Sequence, residues 1–541
     1  MIHRIPLAVL RGRTRSLLCA VLLPNLALLV GGCGRSFTRA DLVFANGAEP
    51  ETLDPTILTG QLDGRLAYAL FEGLTSFDPA GEPQPGMAER WDLSPDGTTY
   101  TFHLREGLRW SDGTHFVAQD FVDSWKRGLE PATAAEYAYQ LYYVKNAKRY
   151  NDPEAHFTDF SQVGVHAPDD HTLEVVLENA TPFFLDVTCT PPLMPVPVKV
   201  VERWGDAWVK PEHIVGNGAF VLESWRLNDK IRLRKNPRYW NHDAVHLNTV
   251  DALPISQANV ALNFFASGVV DLILDKGLTP VSLIGEIRKK PYFHTAPFLG
   301  NFFIRYNCTR KPFDDPRVRQ ALSLVVNKSL IVDKITKAGE IPAHSIVPPG
   351  TAGYQPPAGL GYDPARARAL LAEAGFPGGR GFPPFSFLYN EGEANKFIGI
   401  ELKSMFEREL GISMSLRPQE NKVYLNTMSN LDYELARSSW VGDYNDPNTF
   451  MDMWITGSGN NRTGWSNPEY DRLIAEAART FDKDKRFDIF RRAETMLIRD
   501  ATAICPLYYY VGVTLYDDKK IGGIQANVLD EHALKAIYLK R

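Results

Sequence analysis

Apolar positions along this 541-residue chain alternate between stretches of period two and stretches of helical spacing. Leu42–Ala45 reads as a first strand, broken by Glu49-Pro50-Glu51-Thr52-Leu53-Asp54-Pro55. Arg65–Leu74 carries apolar residues at helical spacing and ends in Phe71-Glu72-Gly73-Leu74. Ser94-Pro95-Asp96-Gly97 is a turn signal, and Tyr100–Leu104 alternates as a half-buried strand should. Trp110–Gly113 turns again, and Thr114–Trp125 is predicted to be a helix ending near Lys126 and Arg127. Asp315-Pro316 opens another helix with an acidic cap and a proline at its first position, placing Val318, Ala321, Leu322 and Val325 on one face. Asp363-Pro364 opens a further helix, closed by Gly375. Asn467-Pro468 opens one whose Leu473, Ile474 and Ala477 face one way. Pro384–Tyr389 is a strand between such helices, and this alternation predicts an α/β fold.

One strand ends differently. Tyr433–Trp440 runs into Gly442-Asp443-Tyr444-Asn445-Asp446-Pro447, residues that tolerate unusual backbone angles. The stretch joins a backbone edge, a carboxylate at Asp443 and aromatic walls at Trp440 and Tyr444. That set suits a ligand with a positive end and a peptide-like body. The alternative is that Asp443 and Asp446 only shape the loop through Asx turns.

The first 33 residues carry His3, Arg4, Arg11, Arg13 and Arg15, then an apolar run over 16–30 interrupted by Pro24 and Asn25. This is a secretory signal, too short and too broken to span a bilayer. Its end, Val30-Gly31-Gly32-Cys33, resembles a lipobox for lipid attachment at Cys33, with Val30 in place of the usual leucine. The alternative is a plain signal peptide cut nearby. Removing residues 1–32 lowers Lys+Arg from 59 to 55 against 64 Asp+Glu, so the mature chain is acidic. That balance argues against nucleic-acid or anionic-membrane partners.

Roughly 510 mature residues imply two or three domains. The 10 Trp, 22 Tyr and 29 Phe exclude a disordered chain. Cys189, Cys308 and Cys505 are too few for a disulfide framework or a zinc site; one disulfide leaves a thiol over. Motifs for metalloproteases, serine hydrolases, P-loops and thiol redox centres are absent, which points away from an enzyme. Gly216-Asn217-Gly218 lacks the third glycine of a phosphate loop and reads as a turn. Asp314-Asp315 reads as helix capping.

Several segments together carry a family resemblance: Ala88–Arg105 and Trp110–Arg127, then Glu51–Pro55, Leu70–Leu74, Gly216–Phe220, Asn236–Asn241, Pro312–Leu322 and Pro506–Tyr510. They resemble bacterial extracellular solute-binding proteins of the peptide/nickel class (family 5), and most of all the periplasmic oligopeptide-binding proteins of ABC importers. The resemblance implies a periplasmic-binding-protein-like two-lobe fold with an extra inserted domain and a hinge between lobes. Its expected boundaries are 33–72, 196–297 and 512–541 for lobe I, 73–195 for the extra domain and 298–511 for lobe II, after the 1–32 signal. It implies no cofactor, no metal, an oligopeptide ligand, ABC permease subunits as partners, a monomeric state, and a periplasmic or cell-envelope location with a lipid anchor at Cys33.

By the same resemblance, Asp443 matches the family aspartate that pairs with a ligand's α-ammonium, and Arg437 an arginine near its carboxylate. Ser439 and Val441 sit where the family strand offers backbone groups. Tyr137 matches a tyrosine that bonds ligand backbone, and Tyr509 lies in the matching aromatic run. Trp440 is expected to be a side-chain pocket wall, the alternative being a buried core tryptophan. A family histidine aligns with Asn395, a pocket tryptophan with Asn421, and a half-cystine with Val441. Arg310 and Lys311 stand near a family lysine used for short ligands. Rivals are a murein-peptide, dipeptide or metal-chelate binder, a peptidase or amidase of the same compartment, and a peptide-sensing receptor subunit.

Overall fold

The structure, a computed structural model, describes residues 39–540. The signal segment and Cys33 lie outside the described residues.

Most predicted elements form close to their sequence signals. Asp315, Asp363 and Asn467 each accept a backbone N–H as side-chain caps of the helices Pro316–Leu324, Pro364–Glu373 and Pro468–Ala477. Gly375 closes the second of these at positive φ, where a side chain is strained. Two helices differ from expectation. The first runs Gln61–Leu70 and stops before Phe71, because the Gly218 N–H takes the Leu70 carbonyl and Asn217 Oδ1 takes the Glu72 N–H. The second begins at Ala118 rather than Thr114. Asp120 folds back to accept the Val117 N–H at 2.9 Å, fixing the start there, while His115 is held in a bridge with Arg109.

An 11-stranded mixed sheet runs through the molecule. Two long antiparallel strands, Phe293–Tyr306 and Ile504–Tyr516, stand at its middle. On one side of them lie Leu272–Ile273, Leu42–Ala45, Thr249–Leu253, Lys230–Lys235 and Phe220–Arg226. On the other lie Leu435–Val441, Phe385–Asn390 and Met414–Gln419, and the short Ile341–Pro342 pairs with Ile504–Tyr516 off this path. The long pair loses register between Pro297 and Asn301. A break in the ladder at mid-strand leaves a place where the two halves can bend.

Each half has its own core. One gathers Leu42, Leu66, Phe71, Trp208, Leu233 and Ile537 from three stretches distant in sequence. Glu72 ties these stretches together: it accepts Tyr239 Oη at 2.9 Å, Trp240 Nε1 at 2.7 Å and Lys535 Nζ. The other half buries Tyr306, Phe387, Leu402 and Phe406 on one side of the sheet and Phe303, Trp454, Phe490 and Leu497 on the other. A separate four-stranded antiparallel sheet, with strands in the order Ala88–Leu93, Thr99–Leu104, Thr172–Val176 and Val165–Asp169, packs with the helix Ala118–Leu129 around Phe102, Phe121 and Trp125. Tyr444, far away in sequence, inserts into that same core. Among the described residues, Cys189, Cys308 and Cys505 are free thiols.

Candidate functional site

The strand Leu435–Val441 is fully paired on one side, antiparallel to Gly300–Tyr306. On its other side the Phe385–Asn390 strand pairs only with Leu435 and Ala436. The Gly442 N–H reaches the Leu299 carbonyl at 2.7 Å. Antiparallel alternation then turns the N–H and C=O groups of Ser439 and Val441 to the opposite edge. Tyr424 Oη already donates to the Arg437 carbonyl there. From Ser439 to Val441 no strand of the described residues satisfies that edge.

The turn that follows is tightly built. A Cβ on Gly442 would lie 2.6 Å from Leu299 Cδ2 and 2.9 Å from Thr449 Cγ2, so glycine is required there. Thr449 Oγ1 accepts the Asp443 N–H at 3.2 Å. Tyr444 stacks on Phe183 at 4.4 Å, its hydroxyl 3.0 Å from that of Tyr143. Asp446 caps the Asn448 N–H at 2.9 Å and receives both Arg486 terminal nitrogens at 2.7 Å, with both side chains buried. The turn is therefore fixed from behind and docked in front, which leaves Asp443 at its tip.

Asp443 faces a cavity of about 360 Å³, also lined by Tyr137, Gln140, Tyr68, Phe298 and Glu531. These come from the extra sheet domain, the three-stretch half and the central strand. Tyr139 Oη donates to Asp443 Oδ2 at 3.1 Å, and its ring lies 5.5 Å from that of Tyr137. Burial pushes the Asp443 carboxyl up to about 6, while the Tyr139 hydrogen bond pulls it down. Burial and the Asp443 charge push the Tyr137 phenol up as well. No cation of the protein forms an ion pair with Asp443 among the described residues, in contrast to Asp446. A carboxylate so placed favours a positive group brought from outside.

The residues singled out from sequence divide into two sets. Tyr137, Val441 and Asp443 line the cavity. Arg437, Ser439 and Trp440 sit farther back on the same strand. The Arg437 guanidinium lies 4.9 Å over the Phe302 ring and 3.5 Å from Tyr510 Oη, with its Nε buried and without a hydrogen-bond partner. Trp440 Nε1 points to Thr449 Oγ1 at 3.4 Å, and its ring packs on the Trp454 core. Tyr509 is buried and its hydroxyl is engaged with Ser345, so it does not line the cavity; its neighbour Tyr510 is the tyrosine that reaches Arg437. Asn395, in the first turn of Glu393–Leu410, donates to the Asn390 carbonyl at 3.0 Å, and Asn390 Nδ2 donates to Asn421 Oδ1 at 3.3 Å. Sequence reasoning missed Tyr139 and Glu531. Tyr139 stands two residues from Tyr137 in an aromatic run that the pattern alone does not rank, and Glu531 lies in a segment without any motif.

The profile of the bacterial extracellular solute-binding proteins, family 5, matches residues 82–462. The chain is 36% identical over 509 residues to the periplasmic oligopeptide-binding protein OppA of Salmonella typhimurium, covering 93% of each. It is 35% identical over 511 residues to the probable deoxycholate-binding periplasmic protein YgiS of Escherichia coli, covering 92% of this chain and 93% of that one. Among solved structures, Haemophilus influenzae OppA in complex with the peptide RPPGFSPFR superposes with a TM-score of 0.77 at 34% identity, covering 93% of this chain and 100% of that one. The chain belongs to this family of solute-binding proteins, which are not enzymes, and has its two-lobe α/β fold.

Proposed function

We propose that this member of the family 5 solute-binding proteins captures oligopeptides outside the cytoplasmic membrane and delivers them to the permease subunits of an ABC importer. The observation that carries this reading is the pairing of an open strand edge with the unpaired Asp443 carboxylate. A peptide added along Ser439–Val441 extends the sheet, and its α-ammonium takes Asp443. Tyr137 and Tyr139 frame the ammonium, and Arg437 meets negative charge farther along the strand. Trp440 braces the strand from behind, Tyr509 secures the neighbouring strand through Ser345, and Asn395 holds the Asn390 corner near the strand's far end.

The deoxycholate relative raises a second ligand class. An anionic sterol is disfavoured here, because the desolvated Asp443 repels a second negative charge. The same acid argues against a metal-chelate ligand that lacks a free amino group.

We assign 33–72, 196–297 and 512–541 to lobe I, 73–195 to the extra domain and 298–511 to lobe II. The hinge then falls where the long strands lose register beyond Pro297 and Val511. The periplasmic names of the relatives support a periplasmic location, and no helix of the described residues is long and apolar enough to cross a membrane. We assign signal cleavage and a lipid anchor to Cys33 from the sequence, and a monomeric state.

Native mass spectrometry of protein purified from its own host tests both parts. The expected spectrum shows co-purifying peptide masses and a lipid-modified N-terminal Cys33. Protein carrying a non-peptide ligand would overturn the peptide reading, and an unmodified N-terminus would overturn the anchor.

A further inference from the structure

Glu531 comes from the C-terminal stretch, yet it lines the same cavity as Asp443. The segment that carries it is firmly held. Asn527 Oδ1 accepts the Glu531 N–H at 3.2 Å, and Asn527 Nδ2 donates to the Glu531 carbonyl at 2.8 Å. The side chain is another matter. Its Oε1 is buried and has no hydrogen-bond partner among the described residues. Of the groups nearby, Arg65 Nη1 donates to the Asn46 carbonyl and to Asn46 Oδ1, both at 3.2 Å, and His532 Nε2 faces Asp530 at 3.3 Å. No ion pair joins either of them to Glu531 among the described residues. Burial pushes the Glu531 carboxyl up to about 7, with Arg65 and His532 opposing that rise.

A buried acceptor without a partner costs stability unless something satisfies it. Asn527 bonds only the Glu531 backbone, and of the backbone groups the His532 N–H favours the charged carboxylate. The cavity between Asp443 and Glu531 is mostly apolar, walled by Leu58, Phe77, Phe298 and Leu529. An aliphatic stem with a charged tip fits such a wall-and-end arrangement.

We infer that Glu531 is a specificity-determining residue for peptides whose first side chain is cationic, such as lysine, arginine or ornithine. The α-ammonium meets Asp443, the aliphatic stem crosses the apolar wall, and the side-chain cation meets Glu531. One ligand residue thereby neutralises two carboxylates, one from lobe II and one from the C-terminal segment of lobe I. The ion pair to Glu531 forms only when the lobes enclose that residue. This inference rests on the peptide reading above and deepens it.

Calorimetry with Lys-Ala-Ala, norleucine-Ala-Ala and Ala-Ala-Ala tests it, because norleucine keeps the stem and removes the charge. Wild type is expected to bind the lysine peptide at least about tenfold more tightly than the norleucine one. In Glu531→Gln that preference is expected to fall below about threefold. The wild-type comparison needs no variant, so a misfolded Glu531→Gln does not leave the inference undecided. Ala-Ala-Ala binding without a lysine preference overturns the role of Glu531 alone, as does a preference that survives in Glu531→Gln. Failure of all three peptides to bind overturns the peptide reading and this inference with it.

Discussion

Asp443 and Asp446 stand three residues apart on one turn and have opposite circumstances. Asp446 is buried, accepts the Asn448 N–H and holds both terminal nitrogens of Arg486 at 2.7 Å. Asp443 keeps some access to solvent, has one phenolic hydroxyl at 3.1 Å and no ion-pair partner among the described residues. Both sit in acidic surroundings beside aromatic rings, so residue type and neighbours do not separate them. What separates them is whether the protein supplies the counter-charge. Where it does, the carboxylate is part of the scaffold; where it does not, the carboxylate is poised for a ligand. The scaffold aspartate also positions the poised one, since the Arg486 clamp fixes the turn whose tip is Asp443.

The largest expected effect breaks the scaffold side. Arg486→Met strands a buried Asp446 charge and is expected to cost about 3–5 kcal/mol of stability. Urea unfolding checks it through a lowered midpoint. Joint replacement, Arg486→Met with Asp446→Leu, is expected to recover most of the loss, since the pair without its charges needs no solvation. A single variant as stable as wild type would mean that the two aspartates do not differ in this way.

The next effect belongs to the poised side. Asp443→Asn is expected to leave unfolding midpoints intact at low pH while weakening free peptides by at least about tenfold, the low end of the cost of a buried charge pair. Wild type should discriminate against N-acetylated peptides and the variant much less, because acetylation removes the same charge. A variant that binds both forms as wild type does reduces Asp443 to a turn residue.

The comparison also marks what a single sequence makes legible. The helix starts at Asp315, Asp363 and Asn467 were readable because a cap followed by proline is a local signal. The strand and its acidic turn were readable because Gly442 and Pro447 punctuate them. The site's depth was not. Tyr139 reaches Asp443 across 304 positions, Arg486 reaches Asp446 across 40, and Glu531 meets them only through the fold. None of these distances carries a period. For the same reason Asp446 read only as a loop-shaping residue, although its larger part is the clamp to Arg486. The helix at 61–70 was misjudged at its end because its stop signal, Asn217 and Gly218, lies about 150 residues downstream. Asp443, Arg437 and Tyr137 came from the family resemblance together with chemistry, not from periodicity.

The smallest effect sharpens the comparison through pH. Burial pushes the Asp443 carboxyl up to about 6, against about 4 in an unfolded chain. Below about pH 4 both states hold the proton, and burial of the neutral acid costs little. As pH rises through about 6, the folded protein must give up that proton in a desolvated place, so stability present at low pH is lost across that window and stays lost above it. Two units at about 1.4 kcal/mol each bound the loss near 3 kcal/mol, and partial exposure of the side chain lowers the expectation to about 1–2 kcal/mol. Asp443→Asn carries no such penalty. Its thermal midpoint should match wild type at pH 4 and exceed it at pH 7, in the direction opposite to the Arg486 variant. The neighbouring Asp452, pushed up to about 7 by burial and then by the Asp443 charge, is relieved by the same substitution and adds to the gain. Saturating peptide should reverse the order at pH 7, because the ligand ammonium supplies the missing partner to wild type alone. Melting curves of the two proteins that run parallel from pH 4 to pH 7, with and without peptide, would show that Asp443 is as well satisfied by the fold as Asp446 is.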